Sequence, residues 1–236
     1  MKLSNVTQPK KDYTKSLQIH NTLNKKLWNG HQIKPTIHKK LLHIYNQFVK
    51  DTEIDVKVVD VVMMGSSCDT NFTNLSDIDL HFIIPFSEAS KEYQLMVANC
   101  KLWNNAHNIK IYGHKVEINP QTKTNPFISK DAAIYSIQNN KWKRQPVEHE
   151  ITTKMRNQIN IKCQQYEQQI IAAKKHKSWK ELDNIMKSIK DKRKNGVVKD
   201  GEMSIDNLVF KCLRNVGLIE KIHDDSFAIH DEQQSL

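Results

Sequence analysis

The chain has 236 residues, a formal net charge of +10 at pH 7, 38% hydrophobic and 26% charged residues. It is long enough to bury a sizeable core, and its composition excludes an intrinsically disordered chain and a small disulfide-stapled scaffold. No apolar run approaches the ~20 residues that a membrane-spanning helix needs.

A basic balance favours polyanionic partners: nucleic acid, nucleoside triphosphates or an anionic surface. The plainer reading is a lysine-rich surface that keeps the protein soluble. Lys, Asn and Ile are abundant and have AT-rich codons, which fits a low-GC genome such as a virus's. The four cysteines, Cys68, Cys100, Cys163 and Cys212, include no CxxC pair. Free thiols in a reducing cytoplasm are expected. Met1 to Lys15 is polar and lacks the apolar stretch of a signal peptide.

Residues 1–24 carry little pattern and read as a loosely attached polar arm. Pro35 is placed to open a helix in which Ile37, Leu41, Leu42, Ile44, Tyr45 and Phe48 recur at helical spacing. Val56 to Met64 reads as a buried strand broken by Gly65-Ser66-Ser67. Ile78 to Ile84 is a second strand closed by Pro85, with Ile78, Leu80, Phe82 and Ile84 on one face and Asp77, Asp79 and His81 on the other. Ser87 is the expected N-cap of a helix running to about Asn105. Ile109–Tyr112 and Lys115–Asn119 predict short strands turning at Gly113-His114, with His114 solvated. Ala133–Gln138 and Lys141–Arg144 predict a hairpin turning at Asn139-Asn140. Residues 148–175 and 179–194 predict two helices, the second ending in the basic stripe Lys187, Lys190, Lys192, Arg193 and Lys194. Ser204 is expected to cap a shorter helix that Gly217 ends, with the last dozen residues frayed.

Nucleotidyl transfer requires in-line attacking and leaving oxygens, with negative charge neutralised on both. Two Mg²⁺ ions do this, and Mg²⁺ demands hard oxygen ligands. Asp77 and Asp79, spaced i and i+2 at a strand start, put two carboxylates on one side of a rigid base. Gly65 allows a phosphate to approach the backbone, and Ser66 adds a hydroxyl donor. Glu117 is the candidate third carboxylate, because Val116 and Ile118 take the opposite face of its strand. A Gly-Ser turn, then Ser76-Asp77-Ile78-Asp79, then a carboxylate on a later strand is similar to the signature of the DNA polymerase β-like nucleotidyltransferase superfamily. Lys26-Leu27-Trp28, Asn71-Phe72-Thr73, Lys101-Leu102-Trp103-Asn104, Val116-Glu117-Ile118 and Tyr135-Ser136 with Lys141-Trp142 resemble bacteriophage nucleotidyltransferase-domain proteins, over roughly residues 25–146.

The resemblance implies an α/β (α+β) nucleotidyltransferase core, a mixed twisted sheet with flanking helices, over residues 25–146, and an α-helical C-terminal region over 147–236. It implies an enzyme using two Mg²⁺ ions to move a nucleoside monophosphate from an NTP, ATP among them, to an acceptor hydroxyl. Asp77, Asp79 and Glu117 would be catalytic and metal-binding; Gly65, Ser66, Ser67 and Ser76 would bind the nucleotide. RNA or a tRNA end, held by the basic C-terminal helices, is one acceptor. Nucleotidylation of a protein or small molecule, such as AMPylation, is the alternative. A non-catalytic binding module of the same fold is the third reading. The sequence departs from the common pattern at Cys68-Asp69-Thr70, where Asp69 would repel a triphosphate unless it points away. His81 is more often a structural hydrogen-bonder than a phosphate ligand. Lys115 and Asn119 flank Glu117 on its face. Trp103 reads as core, and Trp142 as half exposed.

Overall fold

A computed structural model describes residues 11–123, 129 and 131–235. The first ten residues of the expected arm, and Leu236, lie outside the described residues. The chain divides into two compact units. One is Gln18–His149. The other joins Glu150–Leu236 to the N-terminal segment that ends at Leu17. The division therefore falls at 149/150 rather than 146/147, and the expected arm is shared between the units.

The Gln18–His149 unit is built on a six-stranded mixed sheet. Its elements are a two-stranded ribbon, β1 (Trp28–Asn29) and β2 (Gln32–Ile33), then α1 (Pro35–Thr52), β3 (Asp60–Met64), β4 (Ile78–Ile84), α2 (Lys91–His107), β5 (Lys110–Ile111), β6 (His114–Thr122), β7 (Ile134–Ser136) and β8 (Lys141–Arg144). The sheet order is β5-β6-β4-β3-β7-β8. The β4–β6 pair is parallel and the others are antiparallel.

Strict alternation along β4 produces the layer structure. Ile78, Leu80, Phe82 and Ile84 are all fully buried. They join a core with Ile37, Leu41 and Phe48 of α1 and Met96, Cys100 and Trp103 of α2. Phe48 packs tilted on Phe82 with centroids 5.1 Å apart and edge-on to Trp103 at 6.0 Å. Each such side chain contributes roughly 1.5–3 kcal/mol on burial. The odd-numbered residues of β4 and β6 are left on the opposite, polar face.

Several local expectations shift for physical reasons. β3 starts at Asp60, not Val56: its partner β4 ends at Ile84 before Pro85, and the last bond on that side runs from the Val59 amide to the Ile83 carbonyl at 2.7 Å. The α2 cap is Ser90, whose hydroxyl accepts from the Tyr93 amide at 3.1 Å; Ser87 forms the preceding turn. Leu95 and Leu102 of α2 are exposed, and Trp103 alone of that trio is core. Residues 18–24 are packed rather than loose: Leu23 and Asn24 are buried, and the His20 amide donates to the Thr70 carbonyl at 2.8 Å.

The second unit is helical: α3 (Thr153–Lys175), α4 (Trp179–Asp200), α5 (Ile205–Asn215) and α6 (Leu218–Gln234). Ile159, Cys163 and Ile170 of α3, Leu182 and Ile189 of α4, and Leu208, Cys212 and Leu213 of α5 form its interior. Gly196 does not end α4. A β-carbon there would stand 2.9 Å from Ser204 Oγ, so the glycine permits close approach to the start of α5. The expectation that the last dozen residues fray is corrected, since α6 continues to Gln234. Ser226 anchors it by donating to Asp183 Oδ1 at 2.6 Å. Tyr13 is buried in this unit, its amide donating to Asn160 Oδ1 at 2.7 Å. Among the described residues no helix is long and apolar enough to cross a membrane.

Candidate active site

The site is assembled at the carboxyl end of β3 and the start of β4. Gly65 leaves β3 with φ +76° and ψ −167°, a backbone region that side-chain-bearing residues rarely enter. A β-carbon on Gly65 would overlap Asp79 Oδ2. The absence of that carbon lets the turn lie against the carboxylate. Residues Ser66–Cys68 then form one 3₁₀ turn, closed by Cys68 and Asp69 amides donating to the Gly65 and Ser66 carbonyls at 3.0 and 3.2 Å.

The serines hold this turn to the Asp-bearing strand. Ser66 Oγ donates to Ser76 Oγ at 2.8 Å, and the Ser76 hydroxyl also accepts from the Thr73 amide at 2.9 Å. Ser67 Oγ donates to the carbonyl of Asp77. Ser67 and Ser76 are buried, so their hydroxyls act inside the protein. Gly65 and Ser66 remain half-buried on the surface of the turn. Behind it, Trp28 Nε1 donates to the Ser67 carbonyl at 2.8 Å. Trp28 stacks on Trp142 at 4.9 Å. Trp142 is thus part of a support under the turn, together with the edge-on Tyr135 ring at 5.0 Å.

Asp79 of β4 lies directly beside Glu117 of β6 in the parallel register, and His81 lies beside Asn119. Paired residues of neighbouring strands project to the same side. Asp77 immediately precedes β4. Glu117 Oε1 accepts from Lys115 Nζ at 2.6 Å. That hydrogen bond raises the Lys115 pKa above the ordinary lysine range, with the charges of Glu117 and Asp77 adding to it. Burial lowers the His81 pKa to about 4, so this imidazole is neutral at physiological pH.

Among the described residues no three Asp, Glu, His or Cys side chains converge as a metal cluster. Glu117 is paired with the Lys115 ammonium. In donor chemistry the acids fit Mg²⁺: they are hard oxygen donors on one polar face, and Gly65 has no β-carbon to crowd Asp79 Oδ2.

No family model, curated protein or solved structure matches this chain. The functional reading therefore rests on the residues and their placement.

Two histidines prove structural in ways the sequence reading did not capture. His114, expected in a solvated turn, is buried. Its Nδ1 is 2.7 Å from the Ser76 carbonyl and its Nε2 is 3.1 Å from Asn24 Nδ2. A carbonyl only accepts, so Nδ1 carries the proton and Nε2 accepts from the Asn24 amide. The signal was available: extending the β6 alternation back two residues puts His114 on the buried side with Val116 and Ile118. His149 pairs with Asp69 at 2.8 Å, both side chains being 3% exposed. Asp69 is thereby turned into the protein, and its Oδ1 accepts from the Thr70 amide at 2.6 Å. Asn104 of α2 was also missed. Its side chain accepts from the Ile118 amide at 3.0 Å and donates to the Ile118 carbonyl at 2.8 Å, standing in for a strand neighbour along β6.

Proposed function

We propose that the Gln18–His149 unit is a nucleotidyltransferase: it moves a nucleoside monophosphate from an NTP to an acceptor hydroxyl and releases pyrophosphate. The observation that carries this reading is the register of Asp79 with Glu117 on adjacent parallel strands, beside a turn whose glycine is required by Asp79.

The roles follow from position. Asp77 and Asp79 would hold two Mg²⁺ ions and Glu117 one of them, and the bound ions would neutralise charge on the attacking and leaving oxygens. Gly65 and Ser66 present the turn to the β- and γ-phosphates. Ser67 and Ser76 keep that turn fixed to the Asp77–Asp79 segment. The acceptor oxygen bonds to the α-phosphorus as the bond from that phosphorus to pyrophosphate breaks. The hydroxyl proton passes to the Glu117 carboxylate. His81, neutral and half-buried, serves as a polar neighbour rather than a cation.

RNA as acceptor is favoured by the helical unit's overall charge. Glu150–Leu236 together with the N-terminal segment that ends at Leu17 carries 20 Lys and Arg against 14 Asp and Glu, +6 of the chain's +10. The exposed Lys187, Lys190 and Lys194 of α4 are a local stripe within that excess.

The test is incubation of the purified chain with each α-labelled NTP and Mg²⁺ in the presence of host RNA, protein or small-molecule fractions. The reading expects label in one fraction and none with Asp79→Ala. Label transfer that survives Asp79→Ala, or no transfer with any NTP and any fraction, overturns it.

A further inference from the structure

Beside Glu117 lies an open cleft of about 470 Å³ between α2 and β6, lined by Tyr93, Val97, Lys101, Lys115, Glu117 and Asn119 among others. Its volume is that of a small-molecule site, within the roughly 300–1,000 Å³ common for such pockets. Three features restrict what it suits. Its charged lining is two ammonium groups and one carboxylate. The carboxylate is already matched by Lys115, so the Lys101 charge is in excess. Tyr93, Val97 and Pro120 form an apolar wall of the kind that packs on a sugar ring or a base. Asn119 adds an amide on the polar face next to Glu117 in the β6 alternation.

An occupant of the cleft that reaches Glu117 with a hydroxyl would lay its body along the Tyr93–Val97 wall and place an anionic group near Lys101. We propose that this cleft is the acceptor subsite and takes a phosphorylated sugar, as a free sugar phosphate or as the terminal residue of an oligoribonucleotide. Identifying the occupant as an acceptor rests on the nucleotidyl-transfer reading; the binding of a sugar phosphate does not. Lys101 supplies the charge that selects the phosphate, and Val97 the surface that limits the occupant's size.

The experiment is calorimetric titration of the full-length chain with ribose 5-phosphate, with ribose, and with a short oligoribonucleotide bearing a free 3′ hydroxyl. MgATP is titrated separately. The same titrations are run on Lys101→Glu and on Val97→Trp, which fills the cleft without changing charge. Both substitutions are at exposed α2 positions, and far-UV circular dichroism checks each fold. The expected result is binding of ribose 5-phosphate or the oligoribonucleotide, weaker binding of ribose, and at least a tenfold loss of affinity in both variants. Whichever of the two phosphorylated probes binds identifies the source of the sugar phosphate. No binding of either probe, or binding unchanged in both variants, overturns the subsite. Failure of MgATP to bind speaks against the nucleotidyl-transfer reading alone, because the probe titrations are scored without it.

Discussion

Gly65 and Asp79 are mutually dependent: the Asp79 carboxylate occupies the space in which any β-carbon at position 65 would stand. The glycine's φ of +76° adds a second reason for its identity. Gly65→Ala must displace either the turn or the carboxylate, and strains the backbone by about 1–3 kcal/mol in addition. The urea midpoint of unfolding should fall, and label transfer from NTP should be lost with it. An alanine variant with unchanged midpoint and unchanged transfer would show that the turn and Asp79 are not coupled.

Glu117 and Lys115 form an ion pair at 2.6 Å on the same strand face. Glu117→Gln removes the proposed proton acceptor and leaves a neutral amide beside Lys115. Transfer should drop by about 10²–10⁴-fold, the usual contribution of a positioned acid–base group. Stability should change little, because the pair is partly exposed and such pairs contribute roughly 0–1 kcal/mol. Single-turnover rates and a thermal melt on the same sample separate the two effects. Full activity in Glu117→Gln would remove this residue from the mechanism.

The sheet was legible because its chemistry is local. The β4 alternation of Ile78, Leu80, Phe82 and Ile84 with Asp79 and His81 fixes both faces from sequence alone. The boundaries of α1 follow from Pro35 at its first turn and the end of the apolar period at Asp51-Thr52. What the sequence concealed depends on tertiary partners. The β6 alternation puts His114 inside, but its polar partners, the Ser76 carbonyl and Asn24, come to it from 38 and 90 residues away. Asp69 is turned inward by His149, 80 residues distant. The Lys115–Glu117 contact is local, yet two residues on one strand face meet only if their rotamers converge. α6 escaped notice because its inward positions are sparse, with Ile222 and Ser226 as its buried contacts.

His81 gives a pH dependence with a definite sign. Its folded pKa is lowered to about 4 from an ordinary value of 6.5. Between those values the unfolded chain binds a proton that the folded one does not, so stability rises with pH across the window. The contribution is fully present above pH 6.5 and is lost as pH falls toward 4. Replacing His81 with Leu should flatten the urea midpoint between pH 6.5 and pH 4 relative to the wild type. An unchanged slope in that variant would show that burial of His81 does not drive the acid sensitivity.

His114 is hydrogen-bonded to Ser76, the residue before the Asp77–Asp79 segment. Its two ring nitrogens are satisfied by the Ser76 carbonyl and the Asn24 amide, and Ser76 adjoins Asp77. His114→Ala leaves two buried polar groups unpaired, each at a cost of about 1–3 kcal/mol. His114→Asn keeps a short donor where Nδ1 stands and should recover the bond to Ser76. If the imidazole acts by holding Ser76, the alanine variant loses kcat more than it raises KM for the NTP, and the asparagine variant restores part of the kcat. A purely structural role predicts instead that both variants lose stability and that the surviving folded fraction turns over at the wild-type rate. Activity normalised to folded protein, measured by intrinsic fluorescence in the same cuvette, decides between them.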